Sequence, residues 1–202
     1  MTRYKKQAGI TLIEMMIALI LGLLVSSAII AIFISNIKSS SENIRMIQLN
    51  QELRTVMNFM SDELKRAGYS ANRQNSDFIK DYKPSIPNCI LYSYDVDLNG
   101  LQTSDERFGF KLDAAVIKWI NNRASATTYT TDCDAGTWQP LTDIDTANIT
   151  AFTLIPTAVK TASSTLFVQN LEIELTGEIS LNPGTASRTI VETIRVRNED
   201  TD

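Results

Sequence analysis

Apolar residues fill nearly every position from Ile10 to Ile34, and the run carries a single charge, Glu14. Its 25 residues suffice to span a bilayer with some tilt. The run is too long for the apolar region of a secretory signal peptide, and no A-x-A site follows it, which argues against a removed signal of that kind. Arg3, Lys5 and Lys6 precede it with no acid among them. By the positive-inside rule this places the N-terminus in the cytoplasm and everything after about residue 36 outside.

The polar patch SNIKSSSEN comes next. Ser39 and Glu42 have capping-box spacing, so either a fresh helix starts here or the first one runs on. Any break is expected at Ser39–Ser41. Beyond it, Ile44, Ile47, Leu53, Val56, Met57, Met60, Leu64 and Ala67 recur mostly three and four residues apart, which predicts an amphipathic helix with one apolar stripe. Gly68 suits its C-cap, with Lys65 and Arg66 well placed for the helix dipole.

After Gly68 short runs of Ile, Val, Phe and Tyr alternate with turn residues: CILYSYD, RFGFKL, AVIKWI, AFTLIP, LFVQNLEIEL and RTIVETIRVRN. NLEIEL and TIRVRN alternate with period two, as strands with one buried face do. Long Thr/Ser/Ala-rich loops are expected around residues 121 to 131 and 156 to 164. The pattern as a whole predicts an α+β fold, with an antiparallel sheet packed on the amphipathic helix.

Composition narrows the chemistry. The chain has 202 residues, net charge −4 and a pI near 5.0, with no basic stripe beyond its first residues. Direct nucleic-acid binding is therefore not expected. Histidine is absent, which removes the commonest general base, the Ser-His and Cys-His nucleophile pairs and the commonest metal ligand. No P-loop, G-x-S-x-G or dinucleotide fingerprint appears, so no enzyme is expected. Cys89 and Cys133 are the only cysteines. Outside the cytoplasm they read as a disulfide, worth about 3 to 4 kcal/mol by loop closure; the alternative is two buried thiols. Two cysteines alone do not make a zinc site.

A second chemical signal is DVDLNGLQTSDE, Asp95 to Glu106, which matches D-x-[DN]-x-[DN]-G-x5-E at every required place. Asp95, Asp97 and Asn99 would supply side-chain oxygens to a calcium ion, Leu101 its carbonyl, Thr103 a ligand directly or through water, and Glu106 two oxygens. Gly100 would permit the sharp turn. Two features depart from an EF-hand: Gln102 stands where an aliphatic residue is common, and the flanks read as strands. The other reading is a plain hairpin turn at DLNG with solvated acids.

KKQAGITLIEMMIALILGLL resembles the class III signal of type IV prepilins and type II secretion pseudopilins: a basic leader ending in glycine, then a hydrophobic residue, Thr, Leu, Ile, Glu and an unbroken apolar helix. Ile10 stands where Phe or Met is usual. The resemblance implies that a prepilin peptidase cuts after Gly9 and methylates the new amine of Ile10. It also implies that Glu14 neutralises the N-terminal amine of an adjacent subunit in a filament. The physics agrees, because either charge left unpaired in a low-dielectric helix bundle is costly. The alternative is that Glu14 snorkels at the cytoplasmic interface.

MNFMSDELKRAGY is similar to a segment of PilW-type minor pilins, in which a helix ends before a cysteine-containing β domain. CILYSYDVDLNG, ERFGFKL and IRVRN extend the resemblance over most of the chain. It implies a pilin-like fold divided into a leader at 1–9, a transmembrane and filament-core helix at 10–35, an amphipathic helix at 36–68 and a periplasmic β-rich domain at 69–202. The implied role is a minor pilin in priming or tip assembly, held in the inner membrane and later in a pilus at the cell surface. Its partners would be other minor and major pilins, the inner-membrane assembly platform and the prepilin peptidase. A J-type pseudopilin of type II secretion follows the same plan, and a single-pass periplasmic ligand-binding or sensor protein is the reading from another class.

Overall fold

The computed structural model describes residues 9–72, 77–80, 83–86, 88–121, 133, 136–160 and 167–197. The basic leader, apart from Gly9, lies outside them. Helix α1 spans Leu12–Leu64 without a break and includes Ser39–Ser41. No Gly or Pro occurs between Ile34 and Ala67 to stop it, and three serines cost too little propensity to do so. The chain divides into two compact units, Met1–Ile44 and Arg45–Asp202. From Leu12 to Ile34 the helix is apolar on all sides and its most apolar window is entirely unburied, as for a segment whose solvent is lipid or other helices.

In the second unit α1 packs on two antiparallel sheets. One has five strands in sequence order: β1 (Lys83–Ile86), β2 (Cys89–Ser93), β3 (Arg107–Asp113), β4 (Val116–Ile120) and β5 (Gln139–Pro140). The other is a three-stranded meander of β6 (Asn148–Lys160), β7 (Phe167–Ser180) and β8 (Thr185–Arg197). A one-turn helix, α2 (Asp77–Lys80), precedes β1. All six strand-like runs of the sequence are strands. β1, β5 and α2 were not foreseen, being only two to four residues long, too short to show a period. The expected loop at 156 to 164 is corrected: Pro156–Lys160 continue β6, paired opposite Phe167–Leu171. Pro156 is tolerated because β6 is an edge strand, where a missing N–H leaves no partner unpaired. Residues 122–131 and 161–164 lie outside the described residues.

The helix stripe also needs correction. Leu49, Leu53, Val56, Met57, Met60, Leu64 and Ala67 are buried, whereas Ile44 and Ile47 are exposed. The step from Ile47 to Leu53 is six residues, about 240° of turn, which leaves the face that Leu49 shares with Leu53. Against this stripe lie Ile90, Tyr92, Phe108 and Phe110 of the larger sheet and Ile149, Phe152, Leu171, Ile173, Leu175, Ile194 and Val196 of the smaller. The period-two pattern of β7 is kept, with Leu171, Ile173, Leu175, Gly177 and Ile179 inward. β2 is buried at all five positions, because α2 and Trp138 approach its far side: Ser93 Oγ donates to the Phe78 carbonyl, and both Leu91 and Trp138 crowd Gly109. A disulfide joins Cys89 to Cys133, with Cα atoms 6.5 Å apart.

Leu53 is fully buried, and its tip lies 3.0 Å from where a side chain at Gly177 would begin. Leu53→Ala is expected to lower stability by about 2 to 5 kcal/mol, read from thermal unfolding of the detergent-solubilised chain. A change below about 0.5 kcal/mol would mean that the stripe is not seated here.

Candidate functional site

Just before α1, Gly9 and Ile10 are outside any helix or strand and exposed, with Ile10 72% accessible. Thr11 caps the helix. Its carbonyl accepts the Glu14 and Met15 N–H groups at 3.1 and 3.2 Å, and its hydroxyl oxygen accepts the Glu14 N–H at 3.4 Å. The same hydroxyl donates to Glu14 Oε2 at 3.4 Å. Glu14 thus lies in the first turn, where the helix dipole favours an anion. Thr11-x-x-Glu14 is itself a capping-box spacing, a local signal in the sequence for a carboxylate at this place. Gly9, Ile10 and Glu14 fall within six residues of exposed chain.

The second site is the β2–β3 connection. It brings carboxylate oxygens of Asp95, Asp97 and Glu106 within 4.8 Å of one another. Asp95 and Glu106 are each only 2% exposed, while Asp97 is exposed. The two buried acids are not the solvated side chains of a plain turn. Asp95 Oδ2 accepts the N–H groups of Ala71 and Gly100 at 2.9 and 3.0 Å, and its Oδ1 has no hydrogen-bond partner among the described residues. Glu106 Oε1 accepts the Val96 N–H at 2.8 Å, and Oε2 accepts the Thr103 N–H and hydroxyl at 2.9 and 3.2 Å. Asp97 Oδ1 takes the Asn99 N–H and Oδ2 the Asn99 amide, and Asn99 Oδ1 accepts the Leu101 N–H at 2.6 Å. Ser104–Glu106 form one 3-10 turn rather than the helix of an EF-hand.

This loop closes over the end of α1. The last turns tighten, with Arg66 and Ala67 N–H groups donating to the carbonyls of Glu63 and Leu64. Gly68, at φ +80°, then sends its N–H to the Ser93 carbonyl at 2.8 Å, and the Asp95 N–H donates to the Tyr69 carbonyl at 2.9 Å. Beside this junction Glu63 accepts from Arg66 at 3.2 Å and from the Tyr94 hydroxyl at 3.0 Å. Burial raises the Tyr94 phenol above its usual range, and burial with the nearby Glu63 charge raises Tyr92 much further. Both stay neutral in neutral solution.

Residues 4–30 match the prokaryotic N-terminal methylation motif. Residues 42–196 match prepilin peptidase-dependent protein B. The chain belongs to the prepilin peptidase-dependent protein B family. It is a type IV pilin-like protein, and the families it matches are structural rather than enzymatic. Membership implies processing by prepilin peptidase and assembly with other pilins. Among curated proteins and among solved structures no match was found. The motif match encloses Gly9, Ile10 and Glu14, and the family match encloses both cysteines' positions and the whole acidic loop.

Gly100 is needed twice over. Its φ is +71°, and a Cβ there would fall 2.5 Å from that of Asn72. Gly100→Ala is expected to destabilise the chain by at least about 2 kcal/mol, measured by denaturant unfolding. An unchanged midpoint would show that the 68–72 segment does not pack on the loop.

Proposed function

We propose that the chain is a minor pilin of the PilW type, acting in the priming or tip complex of a type IV pilus. It enters the inner membrane with its N-terminus in the cytoplasm and its β-rich domain, residues 69–202, in the periplasm. Prepilin peptidase removes residues 1–9 by cutting after Gly9 and methylates the amine of Ile10. Residues 10–35 then pack with other minor and major pilins on the assembly platform, with 36–68 continuing the helix outward. The observation that carries this reading is the methylation-motif match at 4–30, joined to the family match at 42–196 and holding one ionisable residue, Glu14, in its apolar run.

The role of Glu14 follows from charge burial. In the single chain it is exposed and its partner is Thr11. In a bundle of such helices its carboxylate would be desolvated, and an unpaired buried charge is strongly unfavourable. Cleavage after Gly9 creates one new cation four residues before Glu14, the amine of Ile10. Pairing it with the Glu14 carboxylate of a neighbour neutralises both and couples assembly to processing. Ile44 and Ile47, exposed at 54% and 55%, offer further apolar surface for neighbouring helices.

The test is the N-terminal sequence and intact mass of the protein from its native membrane, wild type beside Glu14→Ala. The expected chain begins at methylated Ile10 in both. The variant should be processed normally and enter sheared pili at least about tenfold less well, because it leaves an amine unpaired. Retention of Met1 in cells with active prepilin peptidase would overturn the processing reading. Incorporation of the variant at the wild-type level would overturn the role of Glu14. Correct processing with exclusive co-purification with type II secretion components would identify a J-type pseudopilin instead.

A further inference from the structure

The Asp95–Glu106 loop carries a property that pilin assembly does not require. We propose that it binds one calcium ion, held by Asp95 Oδ1 with oxygens of Asp97 and Glu106, and that the ion pins the end of α1 to the larger sheet.

The decisive atom is Asp95 Oδ1. Asp95 is 98% buried, its Oδ2 is satisfied by two backbone N–H groups, and Oδ1 has no donor among the described residues. A buried carboxylate oxygen without a donor is costly, and such sites hold a cation or a proton. The oxygens of Asp97 and Glu106 lie within 4.8 Å of Asp95's. Two oxygens on opposite sides of a calcium ion at about 2.4 Å each stand about that far apart. The cluster therefore already has the width of a calcium shell.

The loop bonds leave the ion its share of lone pairs. Glu106 Oε1 takes a single backbone donor, the Val96 N–H, and keeps a second lone pair. Its Oε2 is fully used by Thr103 until the Thr103 hydroxyl rotates outward, which would free it for bidentate binding. Asn99 Oδ1 accepts the Leu101 N–H and, with two lone pairs, has a second one to offer. Exposed Asp97 provides the solvent-facing entry. Donors that are all oxygen, three of them anionic and carried on a loop of irregular backbone, suit calcium. Magnesium demands six short, near-octahedral contacts and keeps most of its water. Because the Asp95 side chain also holds Ala71, and its backbone holds Tyr69, an ion at Oδ1 fixes the segment that leaves the helix.

The experiment is thermal unfolding of the full chain in a non-ionic detergent, first stripped with EDTA and then given calcium or magnesium. With an affinity of the extracellular kind, a dissociation constant of about 10⁻⁴ M, calcium at about 10 mM should raise Tm by about 5 to 10 °C. Equal magnesium should raise it by less than about a third of that. Asp97→Asn changes an exposed side chain whose bonds run to Asn99 two residues on, so it should shift the metal-free Tm by no more than about 2 °C and lose most of the calcium shift. Asp95→Asn should lose the shift entirely; if it does not fold, Asp97→Asn still decides. No calcium shift in the wild type, an equal shift with magnesium, or an undiminished shift in Asp97→Asn would each overturn the proposal.

Discussion

Everything in the second unit depends on one seam, the apolar stripe Leu49–Leu64 of α1 against two sheets that bury no shared face without it. A three-stranded meander and a five-stranded sheet each expose an apolar face, and neither holds a core alone. Seating one helix under both closes them into a single core. Gly177 marks a close approach, where the absence of a side chain lets Leu49 and Leu53 sit against β7. The sheets are then stitched by main-chain bonds: the Ile149 N–H of β6 donates to the Ala115 carbonyl in the β3–β4 turn at 2.9 Å. The Thr142 side chain, in the segment that joins β5 to β6, adds a further tie: its Oγ1 accepts the Ile117 N–H of β4 at 3.0 Å.

The same helix stops where the sheet needs it to. Gly68 gives its N–H to β2 instead of to the preceding turn, so the end of the helix and the start of the sheet share one hydrogen-bond system. The acidic loop is built into that junction, through Asp95 to Tyr69 and Ala71 and through Gly100 against Asn72. A cation there would act on the joint between helix and sheet. The Cys89–Cys133 bridge acts on the opposite end of β2 and ties that strand to the chain after β4. β2 is thus constrained at both ends and covered on both faces.

The N-terminal run has a different logic. Its side chains are apolar around the whole helix, so no single face selects a partner and the run suits lipid and neighbouring helices alike. What distinguishes the two environments is Glu14. Near a membrane surface its charge is tolerated, whereas inside a helix bundle it requires a cation. Under the proposed cleavage after Gly9, the amine uncovered four residues from Glu14 would change which environment the helix prefers.

The sequence by itself determined the local and one-dimensional features: the apolar span, the leader and Glu14, six of the eight strands, and a twelve-residue loop with oxygen donors at the right spacing. Each is a property of periodicity or of short-range motif, which survives without knowledge of what lies opposite. Tertiary structure decided the rest. It showed that Leu49, not Ile47, faces the sheets, because a six-residue gap hides the phase of a helix until a partner fixes it. It extended β6 through Pro156–Lys160, since pairing with β7 outweighs a loop-like composition. It also divided the strands into two sheets and buried Asp95 and Glu106 while leaving Asp97 in water. Burial is set by which segments cross above a residue, here Ala71 and Gly100 over Asp95, and those contacts join positions up to 24 residues apart. No local pattern records them.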